Sequence, residues 1–444
     1  MSWMDFLRTM ADKYSLSAEQ TEVFLSRFNE ENQKRSEKEI REDFQKFLGI
    51  DIDVEPYRKR MRRVYAKFAK NKQNPGGCLE LNNDRPHKFY KLRNWLQKQY
   101  GEPEELEIEY PDGYVPLDSP FYVERYPDLL CYETVEEPGS LIRIKAPKCM
   151  GKTSLMRRIL TKTWEKEHQN VYLDFSSLES AVLTKLDKLE RWLCIKIGKQ
   201  LNLENKLKDY WDEELMTVNE NCTGYFRDYI LAKINCPLVL GFDEVDRLFC
   251  YPEVAADFFA MLRNWHEEGK ISETWQQLRI ILAYATDIYI PLDLNQSPFN
   301  VGFPAELPEF NREQIESLAK VHQLDLNEQE ITDFMAMVGG HPYLVRLGFY
   351  YLARGETTMK KLLINAPTEA GIYSDVLRRI LATLETSPEL VQAFKSIVIS
   401  SDAVALKPNF NRKLCSLGLV KQEGNYLVPG CNLYREYFSK VFRL

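Results

Sequence analysis

A chain of 444 residues exceeds what one hydrophobic core organises, and two to four domains are expected. Hydrophobic residues make up 44% and charged residues 28%, globular proportions. No apolar run is long enough to cross a membrane and the N-terminus carries no signal-peptide pattern, so a cytoplasmic chain with no membrane partner is expected. Nine scattered cysteines with no Cys-x-x-Cys pair, and five unclustered histidines, argue for a reducing compartment and against a zinc site. The net charge of −7 conceals a basic island: residues 51–100 hold 13 Lys/Arg against 5 Asp/Glu, a local net of +8 that suggests a polyanion partner.

In chain order, residues 1–100 form an expected all-α domain. Stretches 4–13 and 17–31 carry apolar residues at helical spacing, and Ser17 with Gln20 can form a capping box. A basic amphipathic helix is expected over 57–70. Met61, Val64, Tyr65 and Phe68 share one face, while Arg58, Lys59, Arg60, Arg62, Arg63 and Lys67 occupy much of the remainder. The segment SEKEI…FLGI…YRKRMRRVYAKF resembles the DNA-binding helix-turn-helix of response regulators and sigma-factor-like proteins. That resemblance implies DNA contact through residues 56–72; few short polar side chains stand beside the arginines, so little base preference is expected. The residues alone also fit a solvated basic face or a protein-docking module. Residues 101–113 hold six acids, two prolines, two glycines and no base, the composition of a linker.

Residues 114–304 alternate strand and helix patterns, which predicts a mostly parallel α/β sheet with helices on both faces. Strands are expected at 141–146, 170–175, 237–242, 278–284 and, briefly, 299–303. Helices are expected at 152–168, 184–201, 221–234 and 253–266. The first strand runs into Ala146-Pro147-Lys148-Cys149-Met150-Gly151-Lys152-Thr153-Ser154 and then an amphipathic helix. This is the strand–loop–helix setting of a phosphate-binding loop, with Ala146 where the general pattern has its first glycine. Backbone N–H groups at a helix start, aided by the helix dipole, can hold the phosphates of ATP or ADP. Gly151 permits close approach, Lys152 can reach the β- and γ-phosphates, and Thr153 can place its hydroxyl on Mg²⁺. The third strand ends in Asp243-Glu244, one carboxylate for Mg²⁺ and one to activate water. Thr286, beyond the tip of the fourth strand, is a candidate to orient water or the γ-phosphate.

Residues 305–365 read as a helical lid. Gly339-Gly340 ends one helix and His341-Pro342 opens the next, a corner suited to face the nucleotide. Residues 366–444 read as helices, a hairpin at 418–428 and a last helix, the shape of a winged helix.

Six stretches make a resemblance specific: VPLDSPFYVER, LIRIKAPKCMGKTSL, LVLGFDEVDRLF, SPFNVGFPAELPEF, GGHPYLV and LGLVKQEGNYLVPGCNLYREYF. From about residue 114 onward the chain resembles the bacterial AAA-like domain family, related to STAND ATPases and common in signalling and genome-defence proteins. The resemblance implies a P-loop NTPase core that tolerates Ala146, with roles for Lys152, Thr153, Asp243 and Glu244. It implies adenine packing by Phe121, Tyr122 and Arg125, and nucleotide sensing by Gly340, His341 and Pro342. It further implies an ATP-driven switch with a C-terminal lid, a nucleotide-dependent oligomer and a signalling or defence partner protein. A nucleotide-bound adaptor that does not turn over is the alternative. Arg247, Arg263 and Arg346 are candidates for an arginine finger.

Overall fold

The computed structural model describes residues 2–29, 54–69, 88–100, 108–285, 297–400 and 402–442. The chain divides into two units, residues 1–107 with 116–120, and residues 108–115 with 121–444. Among the described residues no helix is long and apolar enough to cross a membrane.

The first unit contains the helices Trp3–Lys13, Ala18–Phe28, Val54–Phe68 and Lys88–Tyr100. The expected Ser17–Gln20 capping box opens the second. These helices enclose an aromatic-rich core that includes Phe24, Phe28, Phe68 and Phe89. The Trp3 indole N–H donates to the Phe28 carbonyl at 2.7 Å, so the one polar atom of that ring is satisfied. In Val54–Phe68, Met61, Val64 and Phe68 are buried and Tyr65 is partly buried. Lys59, Arg62, Arg63 and Lys67 are exposed, while Arg60 lies 3.5 Å from Glu19. The SEKEI…FLGI part of the helix-turn-helix-like segment, the Arg58 side chain and residues 70–72 lie outside the described residues.

The second unit is built on five strands: β1 (Leu141–Lys145), β2 (Gln169–Asp174), β3 (Leu238–Asp243), β4 (Leu278–Tyr284) and β5 (Phe303–Glu306). Their order is β2-β3-β4-β1-β5 and every neighbouring pair is parallel. All residues of β3 and β4 are buried, as a sheet covered on both faces requires. Helices Leu186–Gln200, Val218–Tyr225 and Pro252–Glu268 pack over one face, and Lys152–Trp164 with Tyr126–Thr134 over the other. Leu240, Phe242 and Ile280 therefore contribute to one core, and Val239, Ile281 and Ala283 to the second. Each such side chain contributes about 1.5–3 kcal/mol on burial.

The fifth strand lies four residues later than expected from 299–303. Pro298–Asn300 instead forms a short 3-10 turn, with the Ser297 hydroxyl accepting from the Phe299 N–H. Gly302 then turns the chain at φ +69, where a Cβ would come within 2.4 Å of the Leu141 carbonyl. Only after that turn can the chain pair with β1. The helix expected over 221–234 begins earlier, at Val218, because Thr217 and Glu220 form a capping box, and it continues as a π turn over Phe226–Leu231.

Beyond the sheet come helices Arg312–Val321, Glu328–Val338, Pro342–Ala353, Met359–Asn365, Ser374–Glu385, Pro388–Ile399 and Pro408–Ser416. An antiparallel hairpin, β6 (Val420–Glu423) and β7 (Tyr426–Pro429), and a helix Asn432–Val441 complete the unit. The order of helix, hairpin and helix is the one expected.

Glu190 lies fully buried on Leu186–Gln200. Burial raises its pKa from 4.5 to about 8, and both carboxylate oxygens are buried without a hydrogen-bond partner. The folded chain therefore holds this proton more tightly than the unfolded chain, and stability falls as pH rises between those two values. Glu190→Gln should leave the unfolding free energy little changed near pH 4.5 and raise it, relative to wild type, by up to about 3 kcal/mol near pH 7. Urea unfolding at the two pH values reads the difference directly.

Candidate phosphate-binding site

At the carboxyl end of β1 the chain turns through the expected loop and enters the helix Lys152–Trp164 at Gly151, whose φ is +95. A Cβ at Gly151 would also press on Arg125 Nη2 at 3.0 Å, so both backbone and space require glycine. Ala146 is 3% exposed and fits without strain in place of the general pattern's first glycine.

Lys152 is almost wholly buried, at 4% exposure. Its Nζ donates to the carbonyls of Ala146 at 3.0 Å and Pro147 at 3.1 Å. Burial pulls its pKa down; Glu244, Asp246 and Asp243 act in the opposite direction. Ser154 is spent on structure, its hydroxyl accepting from the Val115 N–H at 3.0 Å. Thr153 is half-buried, and Lys148 and Cys149 are exposed on the loop.

Asp243 ends β3 at 1% exposure, close enough to the loop for its charge to act on Lys152. Its Oδ1 accepts from the Glu244 N–H at 3.0 Å and its Oδ2 from the Tyr172 hydroxyl at 2.9 Å. Glu244 follows in a left-handed conformation, φ 56, which costs a non-glycine residue free energy. Burial raises the Glu244 pKa, reinforced by Asp246 and opposed by Lys152. Asp246 was missed by sequence reasoning. Its carboxylate takes a backbone hydrogen bond from Ala285 at the end of β4, and burial raises its pKa too. Its place in the sequence Asp243-Glu244-Val245-Asp246 was the available signal. Among the described residues no group of three or more His, Cys, Asp or Glu is disposed as a metal cage. Mg²⁺ sites that share their coordination with phosphate and water do not need one.

Arg125 is buried, and its Nη1 donates to the Met150 carbonyl at 2.8 Å. Phe121 packs at 4.4 Å from the His322 ring with Arg346 over it, and Tyr122 donates to Asp128 at 2.6 Å with Arg158 on its face.

The Gly-His-Pro corner meets the loop. The Lys148 backbone lies against the His341 ring, whose pKa burial lowers to about 4. The Gly340 carbonyl accepts from the Phe310 N–H at 2.8 Å, and a Cβ at Gly340 would lie 2.1 Å from the Phe310 carbonyl. Glu309 Oε2 accepts from the Gly340 N–H at 3.1 Å and from Lys421 Nζ, on β6, at 2.7 Å. A Cβ at Gly418 would press on Pro147 at 3.2 Å. The hairpin, the corner and the phosphate loop are thus one contact region. Arg379, exposed on Ser374–Glu385, acts electrostatically on the Cys149 thiol.

The three finger candidates are occupied elsewhere. Arg247 Nη1 donates to the Phe175, Ser176 and Leu178 carbonyls, at 2.7, 2.6 and 2.9 Å. Arg263 donates to the Ser297 carbonyl at 3.0 Å and to Asn300 Oδ1 at 2.6 Å. Arg346 donates to the Glu109 carbonyl at 3.0 Å. Thr286 lies outside the described residues.

Residues 110–440 match the AAA-like domain family. None of the curated proteins matches the chain. Among solved structures, a Walker-type ATPase of Pyrococcus abyssi is similar with a TM-score of 0.50 at 14% identity, covering 73% of this chain and 96% of that one. The Aeropyrum pernix ORC2 protein in ADPNP-ADP complexes gives a TM-score of 0.41 at 14% identity, covering 76% and 98%. Domain III of the Thermotoga maritima replication initiation protein DnaA gives 0.34 at 18% identity, covering 55% and 94%. With a match over most of its length and the parallel sheet and loop described above, the chain belongs to the AAA-like domain family and has a P-loop ATPase fold.

Proposed function

We propose that this protein binds ATP with Mg²⁺ at the loop 146–154, hydrolyses it slowly, and uses the bound state to reposition its C-terminal helices and hairpin. The observation that carries the reading is Lys152: a buried ammonium at a helix start, held by two carbonyls of its own loop, with three carboxylates acting on it from across the site. A buried cation is stable where an anion completes its surroundings. The Walker-type ATPase of Pyrococcus abyssi, which shares the fold, supports the same reading.

The residues present fit such a ligand. The positive φ of Gly151 lets backbone N–H groups converge at the helix start, and Asp246 Oδ1 is buried without a hydrogen-bond partner. Lys152 would exchange its loop carbonyls for phosphate oxygens. Thr153 and Asp243 would hold Mg²⁺, which supplies neutralisation of phosphate charge. Glu244 would take a proton from the attacking water. Burial, reinforced by Asp246 beside it, raises the Glu244 pKa, which suits a general base. Thr286 remains a candidate to orient that water. Arg125 would hold the loop through the Met150 carbonyl, and Phe121 and Tyr122 would support the adenine side only as packing.

His341, Pro342 and Glu309 would couple phosphate occupancy to Lys421 and the hairpin, because the Lys148 backbone and Pro147 touch both elements. Arg379, whose charge acts on the Cys149 thiol, is a further arginine beside the loop. A STAND-type role in bacterial signalling or genome defence, with a partner protein and a nucleotide-dependent oligomer, extends this reading by the sequence resemblance.

Lys152→Ala should abolish ATP binding in calorimetry; wild-type affinity would contradict the reading. Glu244→Gln should retain ATP and slow single-turnover phosphate release by roughly a hundredfold or more. Release unchanged in that variant would place the base elsewhere if turnover is measurable, and would place the protein among nucleotide-bound adaptors if turnover is negligible in both.

The exposed basic face of Val54–Phe68 supports a DNA contact within this proposal. Lys59, Arg62, Arg63 and Lys67 stand clear of the buried Met61–Val64–Phe68 stripe. If each neutralises one phosphate, log affinity for duplex DNA falls against log salt with a slope of about −3.6. Replacing the four by Ala in the full chain should remove that slope. Equal binding by wild type and variant at low salt would make this helix a protein-docking face.

A further inference from the structure

Asp243 is one of the most buried carboxylates in the second unit, and each of its oxygens accepts one hydrogen bond. The Glu244 N–H supplies the first, as any following residue could. The second comes from Tyr172 on the neighbouring strand, where side-chain identity decides whether a donor exists. Tyr172 is in register with Gly241, two residues before Asp243. Side chains alternate along a strand, so Tyr172 and Asp243 stand on the same face as diagonal neighbours. Gly241 carries no side chain, and Met156 and Leu160 close over its backbone; a Cβ there would lie 3.0 Å from Met156 Sδ. The tyrosine ring extends past that position to bring its hydroxyl to 2.9 Å from Asp243 Oδ2.

Over the ring, the guanidinium carbon of Arg157 lies 3.4 Å from the centroid. Arg157 belongs to the helix that opens with Lys152 and Thr153. A cation on the face of a phenol withdraws electron density from the ring, which strengthens the O–H as a donor. One continuous set of contacts thus joins the phosphate-loop helix, through Arg157 and Tyr172, to the carboxylate at the tip of β3.

The geometry points to Tyr172 as a positioning residue for divalent-cation binding. Its hydroxyl, held under Arg157, fixes the plane of the Asp243 carboxylate, so that the group meets Mg²⁺ without reorganising. This rests on the nucleotide reading above. Outer partners of this kind tune cation affinity because they set the orientation of the ligating group. A tyrosine that merely filled space and satisfied a buried oxygen would affect folding and nucleotide binding alike, with no selectivity for the cation.

The test titrates ATP into the full chain by calorimetry, in EDTA and across a series of free Mg²⁺ concentrations, with thermal melts in parallel. Tyr172→Phe removes only the hydroxyl and keeps the ring under Arg157. It should bind ATP in EDTA within twofold of wild type, and its half-saturating Mg²⁺ concentration should rise roughly tenfold or more. Arg157→Met should move that midpoint in the same direction by a smaller factor, and it carries the test alone if Tyr172→Phe does not fold. A Mg²⁺ midpoint within twofold of wild type, or an equal loss of affinity with and without Mg²⁺, overturns the inference. Lys152→Ala, run beside them, separates the two levels. If it binds ATP as wild type does, the nucleotide reading itself fails and the inference falls with it.

Discussion

A buried lysine ammonium is the constraint on which this site depends. Moving such a charge out of water is costly unless partners surround it. Lys152 meets that cost with two carbonyls from the loop that precedes it, at 3.0 and 3.1 Å, and with the field of Asp243, Glu244 and Asp246. The loop must therefore curl back on its own helix, and that curl needs the positive φ values of Cys149 and Gly151. The carboxylates must stand at the end of β3, one strand removed from β1, which requires β3 to lie beside β4 and β4 beside β1. The two central strands β3 and β4, wholly buried, hold that spacing firmly.

The same loop is where the rest of the second unit converges. Arg125 fastens it from the N-terminal side through the Met150 carbonyl. The His341 ring meets it at Lys148, and the chain before β6 meets it at Pro147. Glu309 joins the corner to the hairpin by accepting from both Gly340 and Lys421. The Glu309–Lys421 pair is partly exposed, so its energetic weight is modest. Its importance is geometric: a shift of the loop cannot be absorbed locally without moving either the corner or the hairpin.

Local chemistry made much of this legible in the sequence. Gly151-Lys152-Thr153 after an apolar strand, and Asp243-Glu244 after another, announce themselves because each residue type is demanded by its own backbone position. The Ser17–Gln20 box and the Gly339–Pro342 corner are readable for the same reason. What was not legible depends on partners far apart in the chain. Residues 299–303 look as apolar as a short strand, but Ser297, Pro298 and Gly302 impose turns first, and pairing starts only at Phe303. The contacts of Phe121 and Tyr122 with His322, Arg346, Asp128 and Arg158 likewise cannot be read from the local pattern. Arg247 looks available beside the carboxylates and is bound to three carbonyls near the end of β2. Nothing in the local pattern of β2 marks Tyr172, whose role follows from strand register.

The proposed switch requires that one ligand, held at the phosphate loop, be sensed by the corner and the hairpin together. Hydrogen exchange followed by mass spectrometry, with and without saturating Mg²⁺·ATP, tests this most directly. The account predicts slower exchange at residues 146–154 with a concurrent change at 338–345 and 418–422. No change at 146–154 under saturating nucleotide would contradict it.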